Sequence, residues 1–426
     1  MPESPLDGVR VVEFGNFIAG PFAGQILADM GADVIKVEPP TGDPWRHERP
    51  FMPGESRVFV GLNRGKRSVC LDLKMPQAVE ACHRLIATAD AVVSNNRPDT
   101  SARLGIDYAT LSGINPGLVF CEITAYGPEG PKAGQPGFDL ILQGYSGVIA
   151  SEGKQWNGHP DPVRSASFID FSTAYAAVNG ILGGLLRRTR TGLGGLVQTS
   201  LLANALAMQT MPLTSVDGHP SPAQRWHSGE RRRLEKSGAP FGDVQQSYVN
   251  TAVASVYRAY YRAFRTLDGA IALGALAHPT RIRLLKLLDL EDPRLTEAGY
   301  DAESAEAVRR ASQLVTELES RFASRTTSHW ERRLRDNDIP CEPVRWAEEM
   351  VDDEQATANG YIASVRHSAG FNYRTSGPLL RFDGQEQTPG SSPGLGAHTR
   401  EVLEELGYAP GDVDRLISSR AAGRAE

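Results

Sequence analysis

Two aspartates stand at the starts of expected helices, where a carboxylate can cap or react. Asp139 follows the turn Gly137-Phe138 and opens the apolar run Leu140-Ile141-Leu142, and Asp170 precedes a small-residue stretch over 171–186. Taken locally, each reads as a helix N-cap. At Asp139 a reactive role is compatible with the cap, because a helix N-terminus stabilises an anion and nearby N–H groups can hold an oxyanion. Other chemistry lacks its residues. The loop Gly15-Asn16-Phe17-Ile18-Ala19-Gly20 keeps only the outer glycines of G-x-G-x-x-G, and it has no G-K-[ST]. That speaks against a nicotinamide cofactor or a P-loop, although Glu38 could mimic a ribose-binding acid. No H-E-x-x-H occurs among the nine histidines and no G-x-S-x-G elbow is present. No metal site is expected.

The elements that would position these residues read clearly at the start. A strand over 9–14, a turn, a helix opened by Pro21 and closed by Gly31, and a strand over 33–38 form a βαβ unit, hence parallel strands. Extended runs at 68–73, 91–93 and 118–123 and a helix from Pro76 to Ala87 continue the pattern. Residues 1–130 thus read as a doubly wound α/β sheet. Helices are expected over 170–188 and 199–211, with the glycine-rich 191–195 as a helix-end turn. Residues 212–250, rich in Pro, Gly, Ser and charge, read as a linker or long surface loop. A new series starts at Val256. It alternates at Tyr260, Arg262 and Phe264, turns at Asp268-Gly269, and gives way to a helix over 305–325. Short strands and a closing helix at 399–406 end the chain.

The chain has 426 residues, 40% hydrophobic and 23% charged, with net charge −6. This is globular composition with enough apolar material for two or three domains. No basic excess points to nucleic acid. The 171–186 run, interrupted by Ser, Thr and Asn, reads as a packed helix rather than a membrane span. No signal peptide is visible at MPESPLDGVRVVEF. Cys70, Cys82, Cys121 and Cys341 show no C-x-x-C spacing, so buried free thiols in a reducing, cytoplasmic setting are expected.

Several strings carry a family resemblance. They include Leu6-Asp7-Gly8-Val9-Arg10-Val11-Val12-Glu13-Phe14, the 27–38 stretch LADMGADVIKVE, Lys66-Arg67-Ser68 and Leu71-Asp72-Leu73-Lys74. Further along stand Gly127-Pro128-Glu129-Gly130-Pro131, Gly137-Phe138-Asp139, Gln143-Gly144-Tyr145-Ser146-Gly147 and Pro393-Gly394-Leu395-Gly396-Ala397-His398-Thr399. In this order and spacing the chain resembles the class III coenzyme A transferases (the CaiB/BaiF group), strongly over 6–200 and moderately over 255–410. The resemblance implies an α/β large domain, a doubly wound parallel sheet built from residues 1–211 and 339–426. It also implies a smaller α+β domain inserted over 251–338 after the 212–250 linker. Two such subunits would interlock as a homodimer.

The resemblance further implies CoA exchange between an acyl-CoA and a free carboxylic acid, with the CoA thioester as substrate and no permanently bound cofactor. Asp139 matches the nucleophile, acting through a mixed anhydride and an aspartyl-CoA thioester. Ile18 and Ala19 match the loop beside the thioester. Lys36, Leu71, Lys74, Asn95, Arg97 and Arg103 fall at CoA-binding positions, although alone each cation reads as a solvated surface charge. The motif N-F-R-P-G reads here Asn95-Asn96-Arg97-Pro98-Asp99. Ile18 replaces a glutamine that binds small dicarboxylates in some members, and the glycine run of the oxalate-using branch is absent, so a larger or more apolar acid is favoured. Asp170 matches a position that is acidic in transferases and racemases alike; its helix-cap reading is as strong as a catalytic one, and it is not assigned as a nucleophile. The alternatives are a 2-methylacyl-CoA racemase, for which Phe138 lacks the needed proton carrier, and a non-catalytic CoA-binding subunit of a heteromeric transferase.

Overall fold

A computed structural model describes residues 4–251, 259–297, 304–384 and 388–423. Two compact units emerge. The first comprises 1–148, 162–210 and 351–426, and the second 149–161 and 211–350.

The first unit is built on six parallel strands. These are β1 (Arg10–Phe14), β2 (Asp33–Glu38), β3 (Arg67–Cys70), β4 (Ala91–Ser94), β5 (Val119–Thr124) and, after the two-residue strands β6 (Gln155–Trp156) and β7 (His159–Pro160) of the second unit, β8 (Gly195–Ser200). Their order is β3-β2-β1-β4-β5-β8. The chain therefore reverses direction across the sheet between β1 and β4, and open parallel sheets bind ligands beyond their carboxyl ends at such a switch point. Alternating side chains feed two cores. Val11, Val34, Val93 and Cys121 pack under the Ala19–Asp29 and Phe168–Thr191 helices. Val12, Ile35, Val92 and Phe120 pack under the Pro76–Ala87 helix and the C-terminal Val402, Leu403 and Val413.

The sheet edge at β8 was not expected. Residues 199–211 read as one helix, but Gly195–Ser200 pairs in parallel with β5 and only Leu201–Ala207 is helical. The strand alternates half-buried with exposed residues, which is the weak pattern of an edge. The Phe168–Thr191 helix is long and apolar enough to cross a membrane by length and composition. In the fold its Ile169, Thr173, Ala177 and Ile181 stripe is buried. Gly180 and Gly184 let it settle: a Cβ at either would come within 2.5 Å of a valine methyl, on Val197 and Val119 respectively.

Late residues complete the early strands. The Arg46 guanidinium is fully buried, donates to both Glu38 oxygens at 2.8 Å, and reaches the Pro393 carbonyl at 3.0 Å. The Cys70 N–H donates to Thr399 Oγ1. All four cysteines are buried free thiols.

The second unit contains the antiparallel strands β9 (Tyr261–Arg265), β10 (Ala270–Gly274) and β11 (Cys341–Pro343), in the order β11-β10-β9. Its core stacks Phe264 on Phe322 at 4.5 Å. Residues 212–250, read as a linker, instead carry the helices Pro222–Ser228, Glu230–Lys236 and Phe241–Thr251, the first with a Ser221/Gln224 capping box. Because β11 pairs with β10, the chain returns to the first unit at 351 rather than at 339. The boundary expected at Val256 lies outside the described residues. In the first unit, β12 (Ile362–Arg366) and β13 (Asn372–Ser376) form a closing hairpin.

Candidate active site

A cleft opens at the carboxyl end of the sheet, at the switch point. Asn16, Phe17 and Ala19 after β1 form one side, and Asn95, Asn96 and Arg97 after β4 form the next. Thr124 at the end of β5 with Ala125 after it, the 134–138 loop, Asp170 and Leu201 help complete it. The position follows from topology. Helices that link parallel strands run back against them, so their N-termini lie at the strands' carboxyl ends. This brings the start of the Phe168–Thr191 helix, and Asp170 with it, to the cleft.

The loop after β1 is clasped. Asn95 Oδ1 accepts from the Asn16 N–H at 2.9 Å, and Asn95 Nδ2 donates to the Asn16 carbonyl at 2.7 Å. Phe17 then adopts a left-handed backbone with φ 63°, a strained choice for a bulky residue that the surrounding packing must sustain. Its ring meets Phe138 edge-on at 5.3 Å and Trp45 at 5.7 Å. Ile18 occupies the N-cap of the Ala19–Asp29 helix and is buried.

The two aspartates separate in role. Asp139 is not an N-cap; Phe138 holds that position and Asp139 is the first residue of the Asp139–Tyr145 helix. Its side chain is buried at 7% exposure, and both oxygens are engaged. Oδ1 accepts from Gln143 Nε2 at 2.5 Å, and Oδ2 accepts from the Ile169 N–H at 2.8 Å and the Asp170 N–H at 3.3 Å. Asp139 therefore caps a different helix, Phe168–Thr191, whose own cap residue Ser167 makes no side-chain capping bond. Asp170 is the third residue of that helix rather than its cap. It lines the cleft, and no protein donor reaches its carboxylate among the described residues. Burial, and then the charge of Asp139, push the Asp170 carboxyl up to about 7. Local sequence gave both acids the same cap reading, so the division between them was missed. The usable signal was the acidic match at Asp170 in both branches of the superfamily.

The other expected residues divide as well. Ala19, Asn95 and Arg97 line the cleft. Lys36 does not: it is fully buried, pairing with Glu13 at 2.8 Å and Asp43 at 3.0 Å and donating to the Gly15 carbonyl. Burial works against its charge, but Glu13 and Asp43 outweigh it and hold the ammonium above its usual range. No surface remains to meet a phosphate. Leu71 is core, packed on the face opposite the Phe168–Thr191 helix. Lys74 and Arg103 are exposed and do not line the cleft. Glu38, the candidate ribose acid, is consumed by Arg46 and Ser68.

Residues 6–399 match the family described as CoA-transferase family III. The chain belongs to CoA-transferase family III. Its activity is that of an acyl-CoA:carboxylate CoA-transferase. The transferase is 31% identical to the succinyl-CoA:glutarate CoA-transferase of Mus musculus, covering 97% of this chain and 89% of that one. It is 29% identical to the cinnamoyl-CoA:phenyllactate CoA-transferase of Clostridium sporogenes, covering 96% and 95%. A crystal structure of Rv3272 from Mycobacterium tuberculosis aligns with TM-score 0.73 at 27% identity, covering 94% of this transferase and 100% of that chain.

Proposed function

We propose that this transferase moves CoA from an acyl-CoA to a free monocarboxylic acid bearing an apolar or aromatic group, with Asp170 as the covalent nucleophile. One observation carries the choice of acid: Asp170 faces the cleft without a protein donor, while both Asp139 oxygens are occupied. An Asp170 oxygen attacks the thioester carbon, the C–S bond breaks, and CoA leaves as thiolate from a mixed anhydride. The thiolate then attacks the aspartyl carbonyl, which frees the donor acid and leaves an aspartyl-CoA thioester. The acceptor carboxylate attacks that thioester and expels the thiolate, which takes the acceptor's acyl carbon and regenerates Asp170.

The substrate class rests on the walls. Phe17, Phe138, Ile123 and Leu201 present apolar surface beside Asp170. A dicarboxylate such as glutarate would need a partner for its second carboxylate; Ile18 offers none, and Arg97, the one cation lining the cleft among the described residues, pairs with Asp99 at 2.9 Å. Lys74 and Arg103 are proposed to meet the CoA phosphates. The subunits are proposed to interlock as a homodimer, a reading supported by family membership and by exposed Leu186, Leu193 and Leu196 around the β8 edge. A monomer in light scattering at micromolar concentration overturns that part.

The deciding experiment incubates the enzyme with acyl-CoA, traps with hydroxylamine, and locates the modified residue by peptide mass spectrometry. Modification at Asp170, lost in Asp170→Asn, is expected. Modification at Asp139 restores Asp139 as nucleophile. A screen of free acids with succinyl-CoA and acetyl-CoA, read for new thioesters, tests the acid class.

A further inference from the structure

Gln143 is almost fully buried on the Asp139–Tyr145 helix, one turn after Asp139. Its amide is used completely. Nε2 donates to Asp139 Oδ1 at 2.5 Å and to the Val163 carbonyl at 3.0 Å, and Oε1 accepts from the Val163 N–H at 3.0 Å. Val163 lies five residues before the Phe168–Thr191 helix, and the other Asp139 oxygen takes the Ile169 and Asp170 N–H groups. One side-chain pair therefore grips both the strand of chain entering that helix and the helix's first free donors.

We infer that Gln143 and Asp139 form a positioning pair that fixes the start of the Phe168–Thr191 helix and with it the direction of the Asp170 carboxylate. The inference rests on the reading of Asp170 as nucleophile. Neither residue of the pair lines the cleft. The geometry has two consequences. The donors that a helix N-terminus would otherwise offer to an anion in the cleft are already spent on Asp139, so they do not draw the Asp170 oxygens down onto their own helix. And a second negative charge is kept close behind the nucleophile, opposing its ionisation; among the described residues the cation lining the cleft is Arg97, already paired with Asp99.

The test compares Gln143→Leu and Asp139→Asn with wild type in steady-state acyl exchange from pH 5 to 9. Loosening the grip in Gln143→Leu is expected to lower kcat on the order of tenfold to a hundredfold while KM for the acyl-CoA stays within about twofold, because misplacing a reacting group costs rate more than binding. Asp139→Asn removes the charge behind Asp170, and its acid limb of kcat/KM is expected to move to lower pH, which a purely structural role would not produce. If either variant fails to fold by circular dichroism, the other decides. Unchanged kcat in folded Gln143→Leu, or an unmoved acid limb in folded Asp139→Asn, overturns the inference. Hydroxylamine modification of wild type separates the two readings: a label away from Asp170 sinks the nucleophile assignment, whereas a label on Asp170 with unaffected variants sinks only the positioning pair.

Discussion

The Asp139 carboxylate accepts a hydrogen bond from the backbone N–H of Asp170 at 3.3 Å. Two acids that look alike in sequence are thus arranged in series. The first is committed to the end of a helix, and the second rides on that helix with its side chain turned to the cleft. The arrangement makes Asp170 expensive to ionise, and the consequences are measurable.

Asp170→Asn is expected to stabilise the fold at neutral pH. Burial and the Asp139 charge raise the Asp170 carboxyl from its ordinary 3.8 to about 7. The folded chain then holds the proton more tightly than the unfolded chain, so this group's contribution is present at low pH and lost as pH rises through about 7. The Asn variant should gain on wild type in thermal melts from about pH 4 to pH 7 and hold a constant gain above that. A gain that shrinks with rising pH contradicts the assignment.

Lys36→Met is expected to cost stability rather than CoA affinity. Breaking a buried ion pair from one side costs about 3–5 kcal/mol, here because Asp43 and one Glu13 oxygen lose their cation. Urea denaturation should show that loss, with KM for CoA esters unchanged in the folded fraction. A raised KM with unchanged stability would return Lys36 to the CoA site.

Phe138 is 55% exposed, and its ring touches Phe17. An aromatic pair contributes about 0.5–1.5 kcal/mol beyond area burial. Phe138→Ala should lower kcat/KM for aryl-substituted acids by up to about tenfold and change it little for short aliphatic acids. Equal losses for both acid types would remove Phe138 from substrate selection.

Arg103→Ala is expected to raise KM for CoA esters more than it lowers kcat, since a phosphate contact remote from the thioester is mostly uniform binding. Collapse of kcat with KM unchanged refutes the contact.

Turnover of a 2-methylacyl-CoA in deuterium oxide should leave its α-hydrogen in place. Racemisation needs a proton carrier on each face of the α-carbon, and no histidine lines the cleft among the described residues. Deuterium uptake at a rate comparable to exchange would favour the racemase.

The βαβ start was readable because apolar period, Pro21 and Gly31 all agree there, and β2 spans the same residues in sequence and structure. The edge strand β8 was hidden by its half-exposed alternation and by the helix that follows without a break. Three helices over 222–251 were masked by a polar composition that also suits loops, since they bury little. For the site, residue type located the acids but not their partners. Hydrogen bonds between residues 30 apart, such as Asp139 with Ile169, leave no local periodicity. Lys36 and Arg103 are both cations at expected positions, and only the burial of one and exposure of the other separate them.

The Arg46–Pro393 contact also sets a timetable for the chain's birth. The guanidinium that neutralises Glu38 finds its last acceptor 347 residues later in the sequence. At ~5–20 residues per second, a ribosome needs roughly 20–70 s to deliver it. Until then the β3 side of the sheet lacks its closing layer of Val402, Leu403 and Val413. The nascent N-terminal sheet thus waits, partly uncovered, for the end of its own message, and a chain that stops short of residue 393 leaves it a client for chaperones.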